Sequence, residues 1–145
     1  MTEQETTARR AIEFFNAGDY AGMAAITTND YVYEEVGSGR RTTGIDEFIK
    51  VAKAWRQGLP NAKGTITNTV VAGDQVVLEI VWEGDHTGEL LTPMGNIPAT
   101  GHHTKTKAVE VVEFQGSKIK AARHYLDLVT FMAQLGLGMP APATA

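Results

Sequence analysis

The first third of the chain shows a helical spacing of apolar residues. From Glu3 to Ala17 they recur at intervals of three and four, and Gly18 stands where a left-handed helix end is expected. Asp19 is a good N-cap for a second, short helix. A third helix is predicted up to Gly58, because Thr43 and the acidic residue three positions later resemble a capping box.

The remaining segments alternate between apolar and polar residues, which is typical of strands. A first strand is predicted from Tyr31 to Val36, before the third helix, and four longer strands follow that helix. They run from Thr65 to Ala72, Gln75 to His86, His102 to Gln115 and Lys118 to Asp127. Helical spacing returns from Leu128 to Leu135. Helices followed by hairpin-connected strands indicate an α+β fold, with helices packed on one face of an antiparallel sheet.

Length and charge narrow the possible classes of protein. A chain of 145 residues is long enough for one domain, predicted over residues 1–139, and the Pro/Ala-rich residues 140–145 are predicted to form a frayed tail. The net charge is −4, and the Lys and Arg residues are scattered along the chain. Binding to a phosphate backbone requires clustered positive charge, so no nucleic-acid partner is expected.

Other features bear on location and metal binding. The chain has no cysteine, which suits a reducing cytoplasm. Its N-terminus is polar and acidic, and no apolar run has the length of a membrane span, so no membrane partner is expected. His102 and His103 are adjacent on a predicted strand and should point to opposite faces, so we expect no metal site.

Several short segments occur in an order that is typical of one family. They are Phe14 to Tyr20, Gly84 to Leu90, Ile97 to Gly101, Gly116 to Ile119, Arg123 to Asp127 and Gln134 to Leu137. In this order they resemble the SnoaL-like polyketide cyclases of the nuclear transport factor 2-like superfamily. The resemblance extends from Glu13 to Met139.

The resemblance implies a cone-shaped half barrel with a deep apolar cavity, assembled as a homodimer or tetramer, with no metal or organic cofactor; we expect a homodimer. It also implies acid–base chemistry in which a carboxylate at the end of the last strand removes a carbon-bound proton. In this sequence that carboxylate is Asp127. Many relatives carry Trp four residues earlier, where this chain has Arg123.

Asp127 has two interpretations. An apolar pocket would raise its pKa toward neutrality, as a general base requires, whereas a position at the start of the last helix would make it an N-cap with a lowered pKa. Arg123 and Tyr125 share its strand parity, so all three are expected on one face. Arg123 then either contacts Asp127 and a substrate anion or lies at the surface, and Tyr125 is either a donor or a core residue.

Two histidines are further candidates. His86 shares strand parity with Trp82 on an apolar face, which predicts that it points into the cavity as a proton relay or a donor to a substrate carbonyl; the alternative is a position facing solvent. His124 has the opposite parity to Asp127. A bulge or kink near the strand end would bring it into the pocket.

Substrate binding is assigned to Tyr31, Tyr33, Trp55 and Trp82, together with Glu110, His124 and Tyr125. Tyr31 and Tyr33 alternate with Val32, so a phenol that faces the cavity would stabilise an oxyanion, or both rings are simply core. Trp55 and Trp82 lie on the apolar faces of the third helix and of a long strand.

Glu110 is the second candidate carboxylate. It is in step with Ala108, Val112 and Phe114, and burial of that face would place it in the pocket, where it would work against Asp127. The alternative is that the opposite face, with two lysines, points inward and Glu110 meets solvent.

Together these features predict an acid–base enzyme that acts on an apolar, carbonyl-bearing, polyketide-like substrate by aldol-type cyclisation or isomerisation. Asp127 would be the base, with His86 and Arg123 stabilising the enolate. One alternative is a limonene-type epoxide hydrolase, whose Asp-Arg-Asp arrangement the last strand matches in part. The other is a non-catalytic module that binds a small ligand, in which Asp127 only caps a helix.

Overall fold

The computed structural model describes residues 1–138, so Met139 and the predicted tail Pro140–Ala145 lie outside the described residues. Within this range the helices are α1 (Glu3–Ala17), α2 (Tyr20–Ala25), α3 (Ile45–Gly58) and α4 (Leu128–Gln134). Gly18 ends α1 at a φ of 66°, and the Asp19 side chain caps α2 by accepting the Gly22 N–H. Both helix boundaries confirm the sequence prediction.

The strands form one large sheet and one small hairpin. Their bounds are β1 (Thr27–Glu35), β2 (Arg40–Thr43), β3 (Lys63–Ala72), β4 (Gln75–Asp85), β5 (Leu90–Thr92), β6 (Gly95–Ile97), β7 (His103–Gln115) and β8 (Lys118–Leu126). The six-stranded sheet has the order β2-β1-β8-β7-β4-β3, and β5 pairs only with β6. β1 runs parallel to β8, and all other neighbours are antiparallel. The sheet is curved and not closed, so the predicted α+β half barrel is confirmed.

The structure differs from the sequence prediction around the first strand and the third helix. β1 begins at Thr27 rather than Tyr31, and Arg40–Thr43 forms a short strand that was not predicted. The predicted capping box is wrong, because Thr43 pairs with Val32 in the sheet and Gly44 begins α3 without a side-chain cap. Pairing with β1 gives the Thr43 backbone its hydrogen bonds, which removes the need for a cap there.

The main core lies between the concave face of the sheet and the helices α1 and α3. Alternate residues of the central strands are buried on this face, as a period of two requires. The buried residues of the core are Ala8, Ile12, Ile26, Tyr31, Tyr33, Val51, Val76, Leu78, Ile80, Val112, Phe114, Ile119 and Ala122. Each large apolar side chain removed from water contributes about 1.5–3 kcal/mol, so this face holds the sheet in its curved form.

The opposite face of the sheet is open. Val70 and Tyr125 are among its exposed apolar residues. A second copy of the chain would cover such a surface, but the homodimer stays a prediction, as does the cytoplasmic location. Between residues 1 and 138 no helix combines the length and apolarity needed to cross a bilayer.

Asn16 connects α1 to the sheet edge. Its side-chain amide donates to the Gly64 carbonyl at 2.9 Å and accepts the Gly64 N–H at 2.8 Å, so it substitutes for a neighbouring strand at that point of β3. Both backbone groups would otherwise be left without a partner as the helix covers them. Asn16 therefore fixes where α1 crosses the sheet, above Trp82, which packs directly on Gly64.

Replacing Asn16 with Ala should lower the free energy of unfolding by about 1–3 kcal/mol, because it leaves a half-buried N–H and a carbonyl unpaired. Urea denaturation measures this change. Asn29→Ala is the matched control, since Asn29 is exposed on β1 and its variant should unfold like the parent protein. An equal loss of unfolding free energy in the two variants would show that the Asn16–Gly64 hydrogen bonds do not stabilise the fold.

Candidate active site

An apolar cavity of about 120 Å³ lies between the concave sheet and the helices. Most of its wall is hydrocarbon or aromatic, including Ile12, Phe15, Tyr31, Tyr33, Phe48, Val51, Trp55, Trp82 and Phe131. The ring of Phe131 on α4 packs edge-on against Trp55, with 5.6 Å between ring centroids, and so closes one end. Tyr31, Tyr33, Trp55 and Trp82 thus line the cavity, where the sequence placed them.

Glu110 is the buried carboxylate of this cavity. It lies on β7 in step with Ala108, Val112 and Phe114, and all four are buried on the concave face. Of the two orientations left open by the sequence, the inward one is confirmed. No residue of the described range donates a hydrogen bond to its carboxylate. Burial disfavours the charged form and raises the pKa of Glu110 from 4.5 to about 7.

His124 also reaches the cavity and contacts the same region. Its Nε2 accepts the indole N–H of Trp82 at 3.1 Å, and its Nδ1 lies 2.9 Å from the Tyr33 hydroxyl. An indole N–H only donates, so Nε2 is unprotonated and the proton of the neutral ring is on Nδ1. Burial lowers the pKa of His124 from 6.5 to about 4. Nδ1 lies 3.8 Å from Oε2 of Glu110.

Glu35 completes this network and was missed in the sequence. Only 1% of it is exposed. Its carboxylate accepts the Trp55 indole N–H at 2.9 Å and the Tyr33 hydroxyl at 3.3 Å, and it pairs with Arg40 at 3.1 Å. Ser38 donates to it at 2.7 Å. Its strand parity with Tyr33 was the available signal, but an acidic residue next to a turn normally faces solvent.

Tyr31 is a free donor in the cavity. The ring is 4% exposed, and its hydroxyl forms no hydrogen bond with a described residue. Burial, followed by the charge of nearby Glu110, raises the pKa of Tyr31 well above its ordinary value. The hydroxyl therefore keeps its proton and is available to donate to a ligand oxygen beside Glu110.

Asp127 does not have the desolvated environment predicted for a base. It is exposed at the N-terminus of α4, where its carboxylate accepts the Thr130 N–H at 3.1 Å and the Thr130 hydroxyl at 2.6 Å. These hydrogen bonds lower the pKa of Asp127. The prediction of a raised pKa is therefore wrong, and the N-cap interpretation is confirmed. Asp127 still lies at the edge of the cavity, and its catalytic role stays an untested prediction.

Arg123 and Tyr125 point away from the cavity, so the surface alternative for Arg123 is confirmed and its predicted contact with Asp127 is wrong. Arg123 pairs with Glu113 at 2.9 Å on the outer side of the sheet, and Tyr125 is 45% exposed. A bulge at Lys120 interrupts the pairing of β8 with β7. The inward-facing positions of β8 are therefore odd-numbered before the bulge, at Ile119, and even-numbered after it, at Ala122 and His124. The bulge is the reason that His124 rather than its neighbours faces inward.

His86 is buried but does not line the cavity, so its predicted position is wrong. Its Nδ1 accepts the Thr100 N–H at 3.2 Å and lies 2.9 Å from the Thr100 hydroxyl. Its backbone pairs with Gly101 and His102. β4 ends at Asp85, and the chain there turns toward the loop before β7, so strand parity no longer applies at His86. His86 anchors this loop.

The cavity thus combines one carboxyl group that titrates near neutrality, one free phenol and one neutral histidine. This set can remove a proton from carbon and stabilise the resulting oxyanion. Residues 1–138 contain no cluster of three or more His, Cys, Asp or Glu side chains that would hold a metal ion.

The sequence model of the SnoaL-like polyketide cyclase family matches residues 5–135. The chain belongs to this family. No curated protein matches the sequence of this SnoaL-like chain.

Solved structures support the same fold. A protein from Jannaschia sp. CCS1 described as SnoaL-like has a TM-score of 0.83 at 20% identity, over 97% of this chain and 94% of that chain. A protein with a ketosteroid isomerase-like fold from Catenulispora acidiphila has a TM-score of 0.76 at 21% identity, over 96% and 97%. A LEH-like epoxide hydrolase from M. tuberculosis has a TM-score of 0.71 at 18% identity, over 94% and 91%. At these identities the likeness shows the fold alone.

The two buried titratable groups should have opposite effects on stability. The folded state binds the Glu110 proton more tightly than the unfolded state, so stability falls as pH rises from 4.5 to about 7. It binds the His124 proton less tightly, so stability rises from pH 4 to about 6.5. Glu110→Gln removes the first effect, so relative to the parent it should gain roughly 3 kcal/mol of stability between pH 4.5 and 7.

Denaturant unfolding at several pH values measures this difference. His124→Phe is the matched control, and its stability relative to the parent should change in the opposite direction. Parallel profiles for Glu110→Gln and the parent would show that Glu110 titrates as an ordinary surface carboxylate.

Proposed function

We propose that this protein catalyses proton transfer at a carbon next to a carbonyl group, with Glu110 as the general base. The observation that carries the proposal is the position of Glu110, buried without a hydrogen-bond donor among the described residues, with a pKa raised to about 7. A base is most effective when its pKa lies near the working pH. An exposed, capped carboxylate such as Asp127 is a much weaker base, because its lowered pKa reduces its affinity for a proton.

The reaction uses two groups of the cavity. The Glu110 carboxylate takes the proton from the α-carbon, and the electron pair of that C–H bond forms the enolate, whose charge is on oxygen. The Tyr31 hydroxyl donates to this oxygen. In an isomerisation, the Glu110 acid returns the proton to a different carbon. In an aldol closure, the enolate carbon bonds to a second carbonyl carbon, whose oxygen accepts the proton. Either course regenerates the Glu110 carboxylate.

The cavity limits the size of the substrate. An apolar cavity of about 150 Å³ holds one benzene ring, so a volume of about 120 Å³ fits roughly one small ring. We therefore propose a small cyclic or ring-forming ketone as the substrate. A larger, polyketide-like molecule requires α4 to move, because Leu128 and Phe131 close the wall on that side.

An epoxide hydrolase of the limonene type is a weaker candidate. Its Asp-Arg-Asp arrangement needs an arginine between two carboxylates in the cavity, whereas Arg123 points outward to Glu113. Among the described residues that line the cavity, none is arginine. The non-catalytic alternative is a module that binds a small apolar ligand. Such a module would bind the ketone without converting it, so a turnover assay distinguishes it from the proposed enzyme.

The parent protein should convert 3-cyclohexen-1-one, a single-ring β,γ-unsaturated ketone, to its conjugated isomer. This shift requires removal of an α-proton, and the absorbance of the conjugated product reports it. The base must be ionised, so kcat/KM should rise with pH through about 7, the pKa of Glu110. Glu110→Gln should lower kcat/KM by about 10²–10⁴-fold with the fold retained, because the amide cannot accept the proton.

Two further variants separate the roles. Tyr31→Phe should lower kcat and preserve the pH at which activity rises, because the phenol acts on the oxyanion. Asp127→Asn should retain turnover, since Asn caps a helix as well as Asp does. Loss of turnover in Asp127→Asn with full activity in Glu110→Gln would assign the base to Asp127. Binding of the ketone without turnover at any pH would favour the ligand-binding module.

A further inference from the structure

Glu110 and His124 are neighbours that would ordinarily form an ion pair. Nδ1 of His124 lies 3.8 Å from Oε2 of Glu110, and both side chains are almost fully buried. At such a separation an imidazolium would favour the carboxylate and lower its pKa by about 1–3 units. A base with so low a pKa would be too weak for the chemistry proposed above. The proposed chemistry therefore requires a neutral His124, which burial favours and which a donor to its free lone pair would fix.

The hydrogen bond from Trp82 meets this requirement. The indole N–H donates to Nε2 of His124 at 3.1 Å and occupies the only lone pair on which the neutral ring could accept a proton. Protonation of Nε2 would place two N–H groups against each other. On the other side Nδ1–H donates to the Tyr33 hydroxyl at 2.9 Å, and Tyr33 donates on to Glu35. The ring thus has one stable protonation state.

We propose that Trp82 is a positioning residue for the base: by holding the Nε2 lone pair of His124, its indole N–H prevents the formation of an ion pair with Glu110. Trp82 is itself fixed, because its ring packs on Gly64 and edge-on against Phe15 at 5.1 Å. The donor therefore cannot turn away from His124 without displacing β3 or α1. The inference rests on the proposed function for its purpose, but the effect on Glu110 does not require a substrate.

Other charged groups around the pair do not replace this effect. The negative charge of Glu35 on β1 favours a cationic His124. Arg40 on β2 offsets that negative charge, because its guanidinium lies 3.1 Å from the Glu35 carboxylate. Tyr31 and Tyr33 remain neutral, since their pKa values are raised by burial. At the cavity edge stand Glu83 from β4 and Asp127 from the start of α4. The cavity-lining residues of α1 are apolar, and α3 adds the uncharged Trp55.

The decisive experiment measures the pKa of Glu110 by carbon-13 NMR of the labelled side chain, without any substrate. Trp82→Phe frees Nε2, so His124 should become protonated at higher pH and the pKa of Glu110 should fall by about 1–3 units. The acid limb of kcat/KM should move to lower pH by the same amount. Trp55→Phe is the matched control, because it removes an indole donor from the same cavity, but one that donates to Glu35. It should leave the pKa of Glu110 near its parent value.

The double variant Trp82→Phe/His124→Phe tests whether the effect passes through the histidine. In this variant the pKa of Glu110 should return to a value near 7, since no cation can form. An unchanged pKa in Trp82→Phe, or an equal fall in the double variant, would overturn the proposal. Failure of the ketone assay together with the expected pKa changes would refute the proposed function and leave this inference standing.

Nitrogen-15 NMR of the parent protein supplies a second test that needs no folded variant. At pH 7 the spectrum of His124 should show a protonated Nδ1 and an unprotonated Nε2, as the Trp82 hydrogen bond requires. A ring protonated on Nε2, or a cationic ring at this pH, would overturn the proposal.

Discussion

The burial of the Glu110 carboxyl group is the constraint on which the rest of the cavity depends. A carboxylate surrounded by hydrocarbon is costly unless it is paired, and Glu110 has no hydrogen-bond donor among the described residues. Burial of the apolar core around Glu110 offsets this cost. In that core Leu78, Ile80 and Val112 are fully buried on the same face of the curved sheet. The result is a group that changes charge near pH 7, which a surface carboxylate does not do.

Glu35, in the network around His124, is a second buried carboxylate whose surroundings differ from those of Glu110. Glu35 is as buried as Glu110, yet it accepts hydrogen bonds from Tyr33, Ser38, Arg40 and Trp55. These four donors hold the Glu35 carboxylate in place. One carboxylate therefore organises the aromatic residues and fixes the histidine, and the other is left free to react. The division of roles comes from hydrogen-bond donors rather than from burial.

The C-terminal helix joins the site to the stability of the fold. Asp127 begins α4 through its bonds with Thr130, and Leu128 and Phe131 then complete the cavity wall. The residue that the family resemblance marks as a base thus contributes, at the least, to the position of the wall. Phe131 and Leu135 also bury Leu90 of the β5–β6 hairpin, so the hairpin and the helix close the same end of the half barrel.

The sequence alone determined the class of fold, the bounds of most helices and long strands, and the family, because these depend on local spacing of apolar residues and on short motifs. It also placed Tyr31, Tyr33, Trp55 and Trp82 among the candidate cavity residues, since strand parity and helix faces are local properties, and it left the orientation of Glu110 open. Only the tertiary structure decided where the side chains of Asp127, Arg123, His124 and His86 lie. A bulge at Lys120 changes which residues of β8 face inward, and the end of a strand releases its last residue from parity. The donors that separate Glu35 from Glu110 come from distant parts of the chain, and no local pattern reports them.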